Sequence, residues 1–353
     1  MNIHLWSPGF HSAPNGITAF SNELASGLSS AGHELRLFGK ADAPAFSSTP
    51  AFGARILTSC ALHRPDHIIS AHLNFGPAAR LANNALGIPY TLVCHGIDVD
   101  PALSRSRRKA LRAAEQIIAV SEWTRQRVLD LGGIDPARVK LLPNTFNEAR
   151  FTVGAKPTAL LDRYGLRDKE KIVLTVGRLD SSERYKGYDR ILRALPAIRE
   201  ACGPVRYLLA GRGDDRARLE VLARELGVQD AVTFAGFVAD DELADHYRLA
   251  DVFAMPSTGE GFGIVFLEAM SCGTPVLAGN RDGSADALDG GRLGLLVDPL
   301  EVTAIAGGVI SLLSQQGPAL WFDRNALHDA VRLRFGRAAF RKTLDQLFPR
   351  AAA

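Results

Sequence analysis

Short apolar runs alternate with amphipathic stretches along the chain, starting at its first residues. Between the first two runs, apolar residues recur at 17, 20, 24, 25 and 28, close to the helical period. This spacing predicts a crossover helix over Ile17–Ser30, and strand, helix and strand in series predict a parallel, doubly wound sheet. The strands predicted in the first half are Ile3–Trp6, Glu34–Phe38, His67–Ser70, Tyr90–Cys94, Gln116–Val120 and Val139–Leu142.

The same pattern restarts after a polar, Gly- and Pro-containing stretch, Arg150–Asp168, which we interpret as an interdomain linker. Helical patterns, among them Arg216–Leu226 and Asp240–Leu249, separate a second series of strands. These strands are Ile172–Val176, Val205–Ala210, Val232–Phe234, Val252–Met255, Pro275–Ala278 and Leu295–Val297. The predicted fold class is therefore α/β, with two facing Rossmann-like domains, each a doubly wound parallel sheet, at residues 1–160 and 161–334.

Composition and cysteine spacing are typical of an ordinary globular protein. The chain has 353 residues, of which 46% are hydrophobic and 22% charged, as in ordinary globular proteins. Its four cysteines lack metal-site spacing, and its start reads as a strand rather than a signal peptide. No run reaches about 18 apolar residues, so we expect a cytoplasmic protein without a membrane span.

Charge is distributed unevenly. The net charge is +3, with 17 Lys+Arg against 12 Asp+Glu in residues 1–165 and 24 against 26 in the remainder. This asymmetry indicates that the first half contacts something anionic. Nothing in the sequence indicates a nucleic-acid partner.

The densest chemical signal is the segment GEGFGIVFLEAMSCGTPV, Gly259–Val276, directly after a predicted strand. Gly261 and Gly263 flank Phe262, and a helix is predicted to begin near Ile264. Glycines permit close backbone approach, and a helix N-terminus suits phosphate or sugar hydroxyls. Two carboxylates, Glu260 and Glu268, are placed to contact one ligand. The alternative is a Gly-rich loop with two solvated glutamates.

A second signal is VGRLDSSERYKGYDR, Val176–Arg190. Arg178 follows a strand and Lys186 lies beside a glycine, so the two cations can converge on a diphosphate leaving group. The alternative is a surface basic pair, for which Arg184 and Arg190 are equal candidates.

Together, GRL…KG and EGFGIVxLEAMxxGxPV resemble family 4 of the glycosyltransferases, which has the GT-B fold. The resemblance spans most of the chain and is strongest from Lys171 to Pro299. It implies a retaining reaction with a nucleoside-diphosphate sugar, without a required metal or cofactor. It also implies that a C-terminal helix at about 335–353 packs back onto the first domain through Phe335, Phe340, Leu344 and Leu347.

The resemblance assigns roles to individual residues. Arg178 and Lys186 would hold the diphosphate, Glu268 the ribose hydroxyls, and Glu260 the transferred sugar. The implied donor-binding residues are Gly16, Arg178, Lys186, Phe237, Val238, Glu260, Gly261, Phe262, Gly263, Ile264 and Glu268. The implied catalytic residues are Glu260, His95, Arg178 and Lys186.

The first domain is expected to hold the acceptor. By position, His95 would lie near the sugar's primary hydroxyl, while Asn15 and Gly16 stand where the family often has two glycines. The acceptor-side candidates are Asn15, Asp98, Ser121 and Asn144. Asp98 and Asp100 form D-V-D, but metal-binding DxD sites belong to the other major glycosyltransferase fold, so we assign no metal here.

A basic cluster follows, formed by Arg105, Arg108, Lys109 and Arg112. The four residues have helical spacing, which is typical of a solvated helix face. The alternative is weak contact with an anionic membrane surface near a lipid-linked acceptor.

The expected function is transfer of a hexose, glucose or mannose, from UDP or GDP to a saccharide or lipid-linked acceptor in cell-surface polysaccharide or glycolipid synthesis. A sugar-nucleotide 2-epimerase of the same fold and a non-catalytic nucleotide-sugar binding protein remain alternatives. A nicotinamide oxidoreductase is disfavoured because no GxGxxG follows the first strand.

Overall fold

The structure is a computed structural model that describes residues 1–10, 16–42, 48–167 and 170–349. The chain divides into two compact units. Unit 1 comprises Met1–Thr145 and Arg337–Ala353, and unit 2 comprises Phe146–Gly336.

Unit 1 is built on a six-stranded parallel sheet of order β2-β1-β3-β4-β5-β6. Its strands are β1 Asn2–Ser7, β2 Glu34–Gly39, β3 His67–Ser70, β4 Tyr90–Cys94, β5 Gln116–Ala119 and β6 Val139–Leu141. The helices before unit 2 are α1 Gly16–Ser30, α2 Thr49–Leu62, α3 Gly76–Leu86, α4 Arg105–Ala113 and α5 Glu122–Asp130.

Unit 2 repeats the architecture with a parallel sheet of order β12-β11-β10-β7-β8-β9. Its strands are β7 Lys171–Val176, β8 Val205–Ala210, β9 Val232–Gly236, β10 Val252–Met255, β11 Val276–Gly279 and β12 Leu295–Val297. Its helices are α6 Thr158–Tyr164, α7 Tyr188–Cys202, α8 Arg216–Glu225, α9 Leu243–Leu249, α10 Ile264–Ser271, α11 Ser284–Ala287, α12 Val302–Leu313 and α13 Arg324–Phe335. The last helix, α14 Arg337–Leu347, returns to unit 1.

The central strands are buried on both faces, which explains their nearly continuous apolar runs. Every residue of β4 and of β10 is buried. The helices cover the faces through apolar stripes, as α7 does with Ile191, Leu195 and Ile198. The fold class predicted from the sequence is therefore confirmed, and each sheet has one edge at which all its strands end.

The division between units differs from the sequence prediction. Residues 146–160, assigned to the first domain from sequence, belong to unit 2. Phe151 is only 1% exposed, the hydroxyl of Ser271 donates to its carbonyl, and the Arg248 guanidinium donates to Thr152. The predicted linker Arg150–Asp168 also contains helix α6. The stretch has the polar composition of a linker because one aromatic side chain and backbone acceptors, rather than a broad apolar face, hold it to unit 2.

Helix α14 packs against α1. Phe20 and Phe340 make an edge-to-face contact at 5.9 Å, and Arg337 forms an ion pair with Glu23. A Cβ at position 27 would lie 2.5 Å from Leu344, so Gly27 permits the close approach. The expected apolar face needs one correction, because Phe335 belongs to α13 and packs in unit 2 against Phe262.

Among residues 1–10, 16–42, 48–167 and 170–349, no helix combines the length and apolar character that crossing a membrane requires.

Candidate active site

The loop between β10 and α10 is fixed by the buried carboxylate of Asp282. Its Oδ2 accepts hydrogen bonds from the Ser257 hydroxyl and from the Glu260 backbone N–H, both at 2.7 Å. The Gly283 N–H donates to the carbonyl of Glu260 at 2.9 Å. These bonds set the direction of the chain where Glu260 leaves the carboxyl edge of the unit 2 sheet.

Glycine is required at the start of α10. Gly263 has φ +88°, and a Cβ there would lie 2.5 Å from the ring of Phe266. The neighbouring Phe262 is 1% exposed, and its ring meets Phe335 at 5.6 Å. The Phe262 side chain therefore belongs to the core, and only its backbone is available for the implied donor contact.

Arg178 and Lys186 converge on one buried carboxylate, Glu183. The Lys186 Nζ lies 2.7 Å from Glu183 Oε2, and the Arg178 guanidinium pairs with Oε1. Glu183 is 6% exposed, whereas the side chains of Lys186 and Arg178 are 13% and 74% exposed. The site thus holds one enclosed cation and one that reaches into solvent, with a shared counter-ion.

Sequence reasoning missed Glu183. Its spacing of three residues before Lys186 was a usable signal, because residues at i and i+3 meet on a helical turn. Glu183 lies in a 3₁₀ helix, Ser181–Lys186, whose final cation is followed by Gly187 at φ +77°.

A second glycine makes room for the lysine. A Cβ at Gly177 would lie 3.0 Å from Lys186 Nζ and 3.3 Å from its Cδ. The missing side chain at the end of β7 therefore lets the ammonium group lie against the backbone of the sheet edge.

The two alternative cations lie elsewhere. Arg184 pairs with Asp215, with Nε 3.0 Å from Oδ1, and Arg190 donates to the carbonyl of Pro256 at 3.3 Å. Of the four candidates, the structure brings together Arg178 and Lys186.

Glu260 shares this electrostatic neighbourhood. Burial raises the pKa of its carboxyl above the usual range, Lys186 lowers it, and the negative charges of Asp282 and Glu183 raise it again. Because burial disfavours the ionised form, Glu260 is suited to exchanging hydrogen bonds with sugar hydroxyls.

Glu268 lies one turn into α10, and its neighbours differ from those of Glu260. The Tyr247 hydroxyl donates to its Oε2 at 2.8 Å. Burial raises the pKa of Glu268 to about 7, against lowering by Tyr247 and Arg150. At about 1.5 Å rise per residue, it lies about 6 Å along the helix from Ile264.

The predicted base-binding loop follows β9. Gly236 has φ +73°, and the next residue, Phe237, is 62% exposed. The Arg212 guanidinium lies 5.5 Å from the centre of the Phe237 ring. An exposed aromatic ring at a sheet edge offers a stacking surface, while Val238 beside it is half-buried.

In unit 1, His95 is held at the end of β4 by two hydrogen bonds. Its backbone N–H donates to Asp98 Oδ1 at 2.8 Å, and its ring Nε2 donates to the carbonyl of Ala71, also at 2.8 Å. Because a carbonyl oxygen can only accept, this bond places a proton on Nε2 of His95. Asp98 Oδ2 is buried, with no hydrogen-bond partner in the described part of the chain.

His72 is a neighbour that sequence reasoning missed. Its ring lies 6.2 Å from that of His95, and its Nδ1 accepts from the Asn74 N–H at 3.0 Å. Burial lowers the pKa of His72 to about 4. The charge of Asp98 acts to raise this pKa, whereas His95 and Arg107 lower it further. The ring is therefore neutral at physiological pH.

The remaining unit 1 candidates follow other strands of the same edge. Ser121 is 1% exposed and caps α5, accepting from the Thr124 N–H at 3.0 Å. Asn144 is 8% exposed, and its Oδ1 is buried without a hydrogen-bond partner among the described residues. Gly16 is the exposed first residue of α1, and Asn15 lies outside the described residues.

The basic cluster lies on α4. Arg108 donates to the carbonyls of Leu103 and Pro101, and Arg112 donates to that of Gly132 at 3.1 Å. Arg105 and Lys109 are exposed. Two of the four cations therefore fix neighbouring backbone.

Two family models match the chain, one in each half. The model described as "Glycosyl transferases group 1" matches residues 158–329, and that described as "Glycosyltransferase Family 4" matches residues 14–150. D-inositol 3-phosphate glycosyltransferase 2 of Catenulispora acidiphila is 30% identical over 326 residues, covering 85% of this chain and 75% of the relative. The chain belongs to glycosyltransferase family 4.

Two further proteins extend the family comparison. A GDP-mannose-dependent alpha-(1-6)-phosphatidylinositol monomannoside mannosyltransferase of Mycobacterium tuberculosis is 35% identical over 256 residues, or 69% of this chain. The match spans less than two thirds of that relative, 64% of its length. The structure of Anabaena HepE in complex with UDP-glucose has a TM-score of 0.78 at 21% identity, covering 98% of this chain and 99% of HepE. This family 4 chain has the GT-B fold.

Proposed function

We propose that this protein is a retaining, metal-independent hexosyltransferase. It transfers glucose or mannose from UDP or GDP to a saccharide or lipid-linked acceptor, in cell-surface polysaccharide or glycolipid synthesis. Unit 2 binds the donor and unit 1 binds the acceptor.

The observation that carries the proposal is the convergence of Arg178 and Lys186 on Glu183 beside Glu260. A diphosphate needs cations that neutralise charge as its bond to the sugar breaks. The exposed Arg178 head can turn to the ligand as a bidentate fork, while Lys186 supplies an enclosed point charge.

The donor class is supported by the relatives. HepE was solved with UDP-glucose, and the mycobacterial relative is named for its dependence on GDP-mannose. In this chain, Phe237 offers a ring to the base and Glu268 a carboxylate to the ribose hydroxyls. Nothing in these contacts distinguishes uracil from guanine, so both donors belong in the test.

In the proposed reaction, the bond between the anomeric carbon and the departing phosphate oxygen breaks through an oxocarbenium-like transition state. The acceptor oxygen bonds to that carbon on the same face, and its proton passes to the departing phosphate oxygen. Arg178 and Lys186 stabilise the diphosphate, and Glu260 orients the sugar. Because the two cations supply the charge, we propose that no metal is required.

On the acceptor side, unit 1 offers hydrogen-bonding groups. The ring of His95 is oriented by the hydrogen bond that its Nε2 donates to the carbonyl of Ala71. Asp98 Oδ2 and Asn144 Oδ1 are buried acceptors without recorded partners in the described residues. Hydroxyl groups of a sugar or an inositol ring can satisfy such acceptors.

We also propose weak contact of the exposed α4 cations with an anionic membrane surface. Arg105 and Lys109 are exposed, and among the described residues they lack the backbone bonds that hold Arg108 and Arg112. Co-sedimentation with vesicles containing phosphatidylglycerol, compared with phosphatidylcholine alone, tests this contact. Equal binding to both vesicles would contradict it.

The activity test follows transfer from UDP-glucose and GDP-mannose to an acceptor panel of mannosides, inositol phosphates and lipid-linked saccharides. Proton NMR of the product gives its anomeric configuration, which we expect to match that of the donor. Activity should persist in EDTA. Inversion, or turnover of the donor without any acceptor as in an epimerase, would contradict the proposal.

A further inference from the structure

The amino edge of the unit 2 sheet carries a cavity of about 300 Å³. It lies where β7, β10 and β11 begin, lined by residues at or before their first positions. Four of the lining side chains are cationic: Lys156, Lys171, Arg248 and Arg324.

Two carboxylates oppose the four cations of the cavity: Asp251 in the lining, and Asp245 beside it, whose Oδ1 lies 2.7 Å from Arg248 Nη1. Asp251 Oδ1 pairs with Lys156 at 2.6 Å, and Asp251 Oδ2 accepts from the Ile172 backbone N–H at 2.8 Å.

Lys156 and Arg248 are therefore paired, and Lys171 and Arg324 leave an excess of two positive charges. This excess contrasts with unit 2 as a whole, which has 23 Lys+Arg against 27 Asp+Glu.

The cations retain unused donors. Lys171 donates to the carbonyl of Leu313 at 3.1 Å, and Arg324 donates through Nη2 to that of Cys272 at 3.2 Å. An ammonium group has three N–H donors and a guanidinium five. Both residues can therefore keep these bonds to helix ends and still bind an anion.

Gathering like charges around one small space is unfavourable without a counter-charge. No carboxylate of the described residues pairs with Lys171 or Arg324, which bond to the carbonyls at the ends of α12 and α10. An anion bound between them would supply the missing counter-charge. Phe322, Leu312 and Pro275 add an apolar wall, which favours an anion with an organic body.

We propose that this cavity binds a small organic phosphate, with the phosphate between Arg324, Lys171 and Lys156 and the organic part against Phe322. The site is distinct from that of the donor. Lys171 is the first residue of β7 and Arg178 follows its last, so at about 3.3 Å per residue they are roughly 20 Å apart.

The test uses phenyl phosphate, inorganic phosphate and uncharged phenol, titrated calorimetrically into the intact protein. We expect phenyl phosphate to bind at one equivalent, inorganic phosphate more weakly, and phenol not at all. Binding should persist in Lys186→Ala and in wild-type protein saturated with UDP, which removes or fills the proposed donor site.

Substitutions in the cavity lining test whether phenyl phosphate binds there. Arg324→Gln and Lys156→Gln should each weaken phenyl phosphate binding by about tenfold or more, as expected for loss of a charged hydrogen bond. Arg324→Lys should restore part of it, and Arg193→Gln, an exposed arginine of α7 outside the lining, should leave it unchanged.

Three results would overturn the proposal. These are no binding in the millimolar range, equal binding by the wild type and both glutamine variants, or binding that disappears in Lys186→Ala. The last result would place the anion at the donor site. Loss of UDP binding alone, with phenyl phosphate binding kept, would contradict the proposed function and leave this inference standing.

Discussion

The two units place different chemistry on the same architectural edge. Beyond the unit 2 strands lie ionised groups, with Arg178 and Lys186 sharing Glu183. Beyond the unit 1 strands lie the imidazole pair of His72 and His95 and buried oxygen acceptors.

The net charges of the whole units do not follow the chemistry of their sheet edges. Unit 1 has 18 Lys+Arg against 11 Asp+Glu, whereas unit 2 has 23 against 27. The net charge of a whole unit therefore does not indicate which charged groups lie at its sheet edge. That difference is local, in the fixed pairs of side chains at each edge.

The largest effect is expected for Lys186→Ala in unit 2. Removing a preorganised cation from a developing charge should lower kcat by about 10²–10³-fold. The measurement is donor turnover at saturating UDP-glucose or GDP-mannose. Arg184→Ala is the matched control, because Arg184 pairs with Asp215, and it should keep near-normal kcat.

Glu183→Gln should cost stability rather than only activity. It leaves the enclosed Lys186 without its counter-ion, which we expect to reduce the free energy of unfolding by about 2–3 kcal/mol. Urea denaturation measures this quantity. A loss below about 0.5 kcal/mol, the range of ordinary surface substitutions, would show that Glu183 is not the anchor of the pair.

Glu268 should make stability depend on pH. Its pKa rises from 4.5 to about 7 on folding, so the folded state binds the proton more tightly. Stability from this group is fully present below pH 4.5 and declines as pH rises to about 7, by at most about 3 kcal/mol.

Glu268→Gln removes that titration. Thermal unfolding followed across this pH range should show a smaller decline for the variant than for the wild type. Parallel curves would contradict the assigned pKa shift.

Asp98→Asn tests unit 1 and should have the smallest effect. The amide can still accept from the His95 N–H, but it loses the charge that strengthens the bond, costing about 1 kcal/mol. We expect a higher KM for the acceptor at unchanged donor affinity. A change in UDP affinity instead would contradict the proposal that unit 1 binds the acceptor and unit 2 binds the donor.

The sequence predicted the strands well because both sheets are buried on both faces. Seven of the twelve predicted strands need only end residues adjusted, and β3, β4, β8, β10 and β12 match fully. It failed at 146–160, where Phe151 and backbone acceptors tie a polar stretch to unit 2. Residue composition does not reveal that one buried side chain anchors such a stretch.

The site was predicted unevenly for the same reason. Glycine-flanked Glu260 and the cations stood out as a motif, and the structure brings Arg178 and Lys186 together. Glu183 was missed because an acid among bases usually indicates a solvated surface, and its burial appears only in three dimensions. Ser121, an acceptor-side candidate from the sequence, also caps α5, which the sequence did not indicate.

The most direct test of the account is calorimetric titration of UDP and GDP into the wild type, Lys186→Ala and Arg184→Ala. We predict that at least one nucleotide binds the wild type and Arg184→Ala equally, and Lys186→Ala at least about tenfold more weakly. Equal affinity for all three proteins, or no binding of either nucleotide to the wild type, would contradict it.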